Sequence, residues 1–287
     1  MVDFLCLVSP APARAAGESM RSWRCGASEP GGRIVKIGNG EFWLGDCLER
    51  MSDIPDGSVD MVLCDLPYGT AACKWDSIIP FEPLWEHYWR VAKPNAAVVL
   101  TAAQPFTTAL IASQMDRFKY CWVWDKVSVT GFANAKKQPL RHLEDVVVFY
   151  QSPPPYNPQG LECIGKTRKN SASIGGATVK GEHLSNGKGS MRTAGLIRTQ
   201  EFTNYPKQRL EISRERGLHP TQKPVALFEY LIRTYTDEGM LVLDNCAGSG
   251  TTAIAAERTG RRWLCIEREP SYYYPAVGRV WSEVHGS

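Results

Sequence analysis

Leu241-Val242-Leu243-Asp244-Asn245-Cys246-Ala247-Gly248-Ser249-Gly250-Thr251-Thr252 reads as a short apolar strand that runs into a glycine-rich turn and on into a helix. Two glycines at such a turn leave room for a ligand to approach the backbone. The next apolar run, Arg262–Ile266, is a second strand, and Glu267 closes it nineteen residues after Gly248. An acid at that place can accept hydrogen bonds from both hydroxyls of a ribose. The unit is therefore strand, turn, helix, strand, acid, which implies a nucleoside-binding half of an α/β sheet. Gly248-Ser249-Gly250-Thr251-Thr252-Ala253 matches the dinucleotide fingerprint G-x-G-x-x-A, so the motif alone leaves NAD(P) and S-adenosylmethionine both open. A phosphate-binding Walker loop is excluded, because no lysine follows the second glycine. Only twenty residues follow Glu267, too few for the later strands of a dinucleotide fold in its usual order.

Outward from this unit the same rhythm recurs. Glu41–Leu44 and Val59–Cys64 are expected strands, Phe81–Ala92 a helix, Ala96–Thr101 a strand and Phe106–Ser113 a helix. Phe118–Trp124 and Asp145–Tyr150 are strand candidates, Val225–Tyr235 an amphipathic helix and Ser271–Val280 a last helix. Strands that alternate with helices imply a mostly parallel sheet covered on both faces.

Val62-Leu63-Cys64-Asp65-Leu66-Pro67-Tyr68 is the second informative stretch. A buried strand here delivers a carboxylate, a carbonyl, a proline and an aromatic ring to its carboxyl end, where open α/β sheets bind ligands. Amino methylation needs those groups. The lone pair of an exocyclic base nitrogen is delocalised into the ring, so acceptors must hold its N–H groups and aim it at the methyl donor. Asp65 and the Leu66 carbonyl can do this, Pro67 fixes the turn, and Tyr68 offers an exposed ring to a base taken out of the duplex. Read alone, the four residues also suit an ordinary turn.

His219-Pro220-Thr221-Gln222-Lys223-Pro224 is the third. With it, the chain resembles the β-class DNA amino methyltransferases, whose catalytic D/S-P-P-Y loop precedes a target-recognition region, an H-P-x-Q-K-P segment and a glycine-rich cofactor loop, in that order. The resemblance covers roughly residues 38–280. It implies a Rossmann-like methyltransferase fold with S-adenosylmethionine as cofactor. Asp65, Leu66, Pro67 and Tyr68 become the catalytic loop. Asp244, Ala247, Gly248, Gly250, Thr251 and Thr252 become the methionine and ribose pocket, and Glu267 the partner of the ribose hydroxyls. His219 and Lys223 would lie beside the cofactor, and Asp46 would face its adenine. Local alternatives exist for three of these: Asp46 as the cap of a helix over Cys47–Met51, Lys223 as a solvated residue near a helix start, and His219 as a loop histidine. Two residues depart from the pattern: Leu66 stands where a proline is usual, and Cys246 where an aromatic is usual. The leading Asp favours adenine N6 over cytosine N4, and the absence of any Pro-Cys pair excludes the carbon-5 chemistry. The family often forms homodimers, so a dimer acting on double-stranded DNA is expected.

Composition agrees with this organisation. At 43% hydrophobic and 22% charged residues, the chain is that of an ordinary globular protein. Its net charge is only +3, but residues 151–218 hold eleven Lys/Arg and five Asp/Glu, a local +6, which leaves −3 for the rest. That stretch opens on Ser152-Pro153-Pro154-Pro155 and lacks periodicity, so it is the expected DNA-reading insert, between a catalytic half at 33–150 and a cofactor half at 219–287. Nine cysteines without a C-x-x-C pair argue against a disulfide framework or a metal site and suit a reducing, cytoplasmic setting. No apolar run is long enough for a membrane span. Residues 1–32 read as a disordered extension.

Overall fold

Apolar runs become strands here wherever both their faces are covered. The computed structural model describes residues 33–69, 77–169, 197–215 and 222–286; the N-terminal extension and His219 lie outside them. In chain order the elements are β1 (Ile34–Ile37), β2 (Gly40–Leu44), α1 (Cys47–Met51), β3 (Val59–Asp65), α2 (Phe81–Val91), β4 (Ala92–Ala102), α3 (Phe106–Ser113), β5 (Phe118–Thr130) and, after a single 3-10 turn at Phe132–Asn134, β6 (Arg141–Phe149). Then come β7 (Glu162–Lys169), β8 (Ile197–Thr203), β9 (Arg209–Glu211), α4 (Val225–Tyr235), β10 (Leu241–Asp244), α5 (Thr251–Arg258), β11 (Arg262–Glu267) and α6 (Pro270–His285).

The main sheet has the order β1-β2-β11-β10-β3-β4-β6-β5-β9. Strands β2, β11, β10, β3 and β4 run parallel, as the alternation of strands and helices implies. The departures are at the two sides: β1 pairs antiparallel with β2, and β6 enters antiparallel between β4 and β5. The short connection from β5 to β6 makes a hairpin, and a hairpin can only pair antiparallel.

Side chains alternate across each strand, so β3 feeds two cores at once. Met61 and Leu63 pack with Leu227, Phe228 and Leu231 of α4 and with Ala253 and Ile254 of α5. Val62 and Cys64 pack with Leu84 and Tyr88 of α2 and Phe106 of α3. Each large apolar side chain so enclosed contributes about 1.5–3 kcal/mol. Asp60 is the one carboxylate buried within β3. It meets Lys93 Nζ at 2.5 Å and accepts from the Leu241 amide at 2.9 Å, tying β3 to both of its neighbours.

From the adjacent strands β10 and β3 the chain leaves in opposite directions, through α5 to β11 and through α2 to β4. Right-handed crossovers place those helices on opposite faces of the sheet. A crevice therefore opens at the carboxyl ends of β10 and β3, the place where such sheets take ligands.

Residues Pro158–Lys207 form a compact unit of their own, narrower than the basic stretch 151–218. Its described part is the antiparallel pair β7–β8. Neither strand alternates apolar with polar residues, which is why periodicity gave no sign of them. Strand β9 belongs to the main unit, with Leu210 buried and Arg209 Nη2 2.6 Å from Asp125.

Candidate active site

Strand β3 stops at Asp65 because Pro67 has no amide hydrogen with which to continue a central strand. The carboxylate is held on both oxygens. Oδ1 accepts from the Tyr68 hydroxyl at 2.8 Å and from the Thr101 hydroxyl on β4. Oδ2 accepts from Lys223 Nζ at 2.6 Å, across 158 residues of sequence. Lys223 is buried at 6% exposure and also lies 3.6 Å from Glu144 of β6. Burial opposes its charge, but the Asp65 and Glu144 carboxylates outweigh burial and raise its pKa. Lys126 of β5, also buried, pairs with the other Glu144 oxygen at 2.9 Å. The result is a chain of alternating charges, Asp65, Lys223, Glu144 and Lys126, reaching from the Asp65–Tyr68 loop to the β5–β6 hairpin.

One expectation for the loop changes, and one departure from the family pattern is explained. The Tyr68 ring is half-buried rather than exposed. Phe106 stacks on it at 5.2 Å and 25°, and its hydroxyl is occupied by Asp65. Leu66, in the place of the usual proline, is 3% exposed and packs into the core beneath the loop. Apolar packing thus anchors the turn in addition to Pro67.

Strand β10 ends on Asp244, at 2% exposure. One oxygen accepts from the Cys246 amide at 3.0 Å and the other from the Thr252 hydroxyl. No cation pairs with Asp244 among the described residues. Burial pushes its carboxyl up to about 6, against the Thr252 and Cys246 hydrogen bonds. Gly248 (φ +50) turns the chain, and its amide donates to Glu267 Oε2 at 2.8 Å. The other Glu267 oxygen accepts from the Glu269 amide at 2.8 Å. Burial raises the Glu267 pKa in spite of both bonds.

A cavity of about 850 Å³ joins these strand ends. Its lining includes Asp65, Leu66, Pro67, Tyr68, Asp46, Lys223, Asp244, Ala247, Gly248, Thr251 and Glu267. Gly250 and Thr252 stand behind that wall. Gly250 (φ +77) starts α5, and a Cβ there would come within 3.0 Å of Val280 and 3.3 Å of Phe42. Thr252 is fully buried and holds Asp244. Asp46 does cap α1, accepting from the Leu48 amide at 2.9 Å, and it lines the cavity as well. Lys223 is no solvated residue, and its cation sits on Asp65.

The sequence reading missed Thr101, Glu144, Asn245 and Arg279. Asn245 accepts from the Tyr88 hydroxyl at 2.6 Å. Arg279 of α6 braces the glycine turn through the Ser249 carbonyl at 3.0 Å. Aromatic rings absent at Cys246 are supplied to the cavity by Tyr272, Phe228 and Trp124. Cys64, beside Cys246, is pushed up to about 12 by burial and stays a neutral thiol. Among the described residues no group of His, Cys, Asp and Glu is arranged to hold a metal ion, and no helix is long and apolar enough to cross a membrane.

A family profile for N6/N4 methyltransferases, described as DNA methylase, matches residues 59–277. The chain is similar to the type II methyltransferase M.HpaI of Haemophilus parainfluenzae, 23% identical over 254 residues, covering 84% of this chain and 74% of that protein. Among solved structures, the cytosine-N4-specific PvuII DNA methyltransferase superposes with a TM-score of 0.60 at 17% identity, over 87% of this chain and 94% of that one. The M1.HpyAVI–SAM complex superposes with a TM-score of 0.57 at 20% identity, over 84% of this chain and 99% of that one.

Proposed function

The chain belongs to the N6/N4 DNA methylase family, and on that premise we propose that it methylates adenine N6 in duplex DNA at a specific short sequence. It is an S-adenosylmethionine-dependent DNA amino methyltransferase. The residues present fit that cofactor. Asp46, Asp244, Glu267 and Glu269 line the cavity at or just past the ends of the adjacent strands β2, β11 and β10, an acidic arm with Arg268 as its cation. Such an acidic arm suits a molecule that carries a sulfonium and an ammonium. When bound, the cofactor supplies an electrophilic methyl group.

The observation that carries the reading is Asp65, poised in the same cavity as the glycine turn. A carboxylate has about four acceptor sites. Tyr68, Thr101 and Lys223 take three, which leaves one for an amino hydrogen of the target base. The Leu66 carbonyl takes the second hydrogen, so the nitrogen lone pair points across the cavity. Tyr68, backed by Phe106, bounds the base. Glu267 and Asp46 bind the cofactor's hydroxyls and adenine, and Asp244 with Thr252 holds the turn that seats it. The leading aspartate of the loop supports adenine over cytosine. The Pro158–Lys207 unit and the basic residues around it read the duplex, through phosphates for affinity and base edges for sequence.

The test is to express the protein in cells free of DNA methylation and digest their DNA to nucleosides for mass spectrometry. N6-methyladenine is expected, and sequencing that detects modified bases then gives the site. N4-methylcytosine would replace the adenine reading, and label transferred to RNA or protein but not to DNA would end it.

A further inference from the structure

The β5–β6 hairpin carries features that the methyl-transfer reading does not use. Asp145 of β6 pairs with Ala102, the last residue of β4. The part of the hairpin before Asp145 therefore extends past the carboxyl ends of the parallel strands, on the side where the crevice opens. Its register breaks there. Asp125 pairs with Leu143 and Thr130 with Arg141, so Lys126–Val129 on one strand stand against His142 alone on the other. Bulges of this kind re-aim side chains beside active sites. Here the Asp125 carboxylate accepts from the Val127 amide at 2.9 Å and holds Val127 at φ +62. That conformation is strained for a β-branched residue. It turns Lys126 inward onto Glu144 and leaves Val127 59% exposed.

Four of the ten exposed large apolar side chains of the described residues sit on this hairpin: Val127, Val129, Phe132 and Leu143. Phe132, just past Gly131 at φ +90, is the most exposed of all at 66%. Lys136, Lys137 and Arg141 are exposed beside it, and no Asp or Glu occurs between Lys126 and Leu143. Thr130, Arg141 and Leu143 also line the catalytic cavity. An apolar tip flanked only by cations, continuous with a cavity that takes a base, suits stacked bases between phosphates better than a protein surface.

We propose that this hairpin is a wedge that enters the duplex beside the target nucleotide. Phe132 fills the gap in the stack left by the base in the cavity, and Lys136, Lys137 and Arg141 hold the flanking phosphates. The proposal rests on the duplex-DNA reading above. The bulge presents the tip at the mouth of the cavity, and its strain is tolerated because Asp125 and the Lys126–Glu144 pair hold it.

The experiment compares the full-length protein with Phe132→Ala on a duplex oligonucleotide carrying the methylation site and on the same duplex with an abasic position opposite the target. At 66% exposure, Phe132 contributes little to folding, so the melting temperature should not move. On the intact duplex kcat/KM is expected to fall about tenfold or more, the loss of one stacking contact. With the abasic partner the two proteins should agree within about threefold, because the base there leaves the stack without help. A second variant, Lys136→Ala with Lys137→Ala, should lower the slope of log affinity against log salt by about two. Equal rates on the intact duplex, or equal losses on both substrates, would overturn the wedge. So would a concentration-dependent dimer that Phe132→Ala abolishes while the intact-duplex rate stays unchanged, since the face would then belong to a second copy. If the native protein methylates no duplex at all, it is the functional reading that fails.

Discussion

Asp65 and Asp244 end adjacent parallel strands and line one cavity, yet they are held in opposite ways. Asp65 has a buried cation on one oxygen and two hydroxyls on the other, and remains 21% exposed in its side chain. Asp244 is sealed in, its oxygens taken by a backbone amide and a threonine hydroxyl, and its pKa is pushed up to about 6. An acid paired with a lysine and two hydroxyls keeps an acceptor site for substrate. An acid compensated by neutral donors shapes its own turn and carries a desolvation cost whenever it ionises. The first arrangement suits chemistry and the second suits scaffolding.

Breaking the first arrangement should have the largest effect. Asp65→Ala is expected to lower methyl transfer by about 10²–10³ or more, as loss of one preorganised polar contact to the reacting group does. S-adenosylmethionine should still bind, measured by calorimetry, because Asp244 and Glu267 are untouched. Loss of cofactor binding in this variant would erase the distinction between the two acids. Next comes the charge chain behind Asp65. Glu144→Ala leaves Lys126 without its partner and Lys223 with one carboxylate instead of two. A buried cation stripped of its partner costs about 3 kcal/mol, to be read from urea unfolding.

The second acid makes a prediction about pH. Its folded pKa of about 6 lies above the ordinary 3.8, so the folded state binds this proton more tightly than the unfolded chain. Its stabilising contribution is complete below pH 3.8 and is lost as pH rises through 6. The difference is worth roughly 2–3 kcal/mol. Asp244→Asn cannot ionise, so its stability relative to the native protein should be more favourable at pH 8 than at pH 5. Parallel unfolding curves at both pH values check this, and a gap that does not change with pH would show that Asp244 is not desolvated. The smallest effect is expected at Asp46. Loss of its cap on the Leu48 amide in Asp46→Ala should cost about 1 kcal/mol, with a weaker hold on the cofactor seen separately in its Kd.

The glycine turn was legible because its determinants are local. Gly248 must turn with a positive φ, and Glu267 follows at the end of the next strand. The Asp65–Tyr68 turn was legible for a related reason: a proline ends an apolar strand just past an acid. Its surroundings were not. Lys223 was expected beside the cofactor from its motif, and nothing in that motif showed that its cation also sits on Asp65. Glu144 and Lys126 look like solvated charges at the ends of apolar runs, yet each is the other's partner inside the hairpin. Thr101 is the one polar residue in the apolar run Ala96–Ala102 of β4 and carries no pattern of its own.

What the amino-acid sequence determined by itself was the order of the units, the glycine turn with its acid, and the acid-carbonyl-proline-tyrosine loop. Each of these is set by backbone freedom or by periodicity over a few residues. What only the tertiary structure decided was where the charges go. The pairing of Asp65 with Lys223, the lack of a cation at Asp244 among the described residues and the strained bulge that faces the cavity all depend on strands far apart in the chain becoming neighbours. Burial then sets the strength of each pairing, because a charge removed from water must find its partner inside the fold.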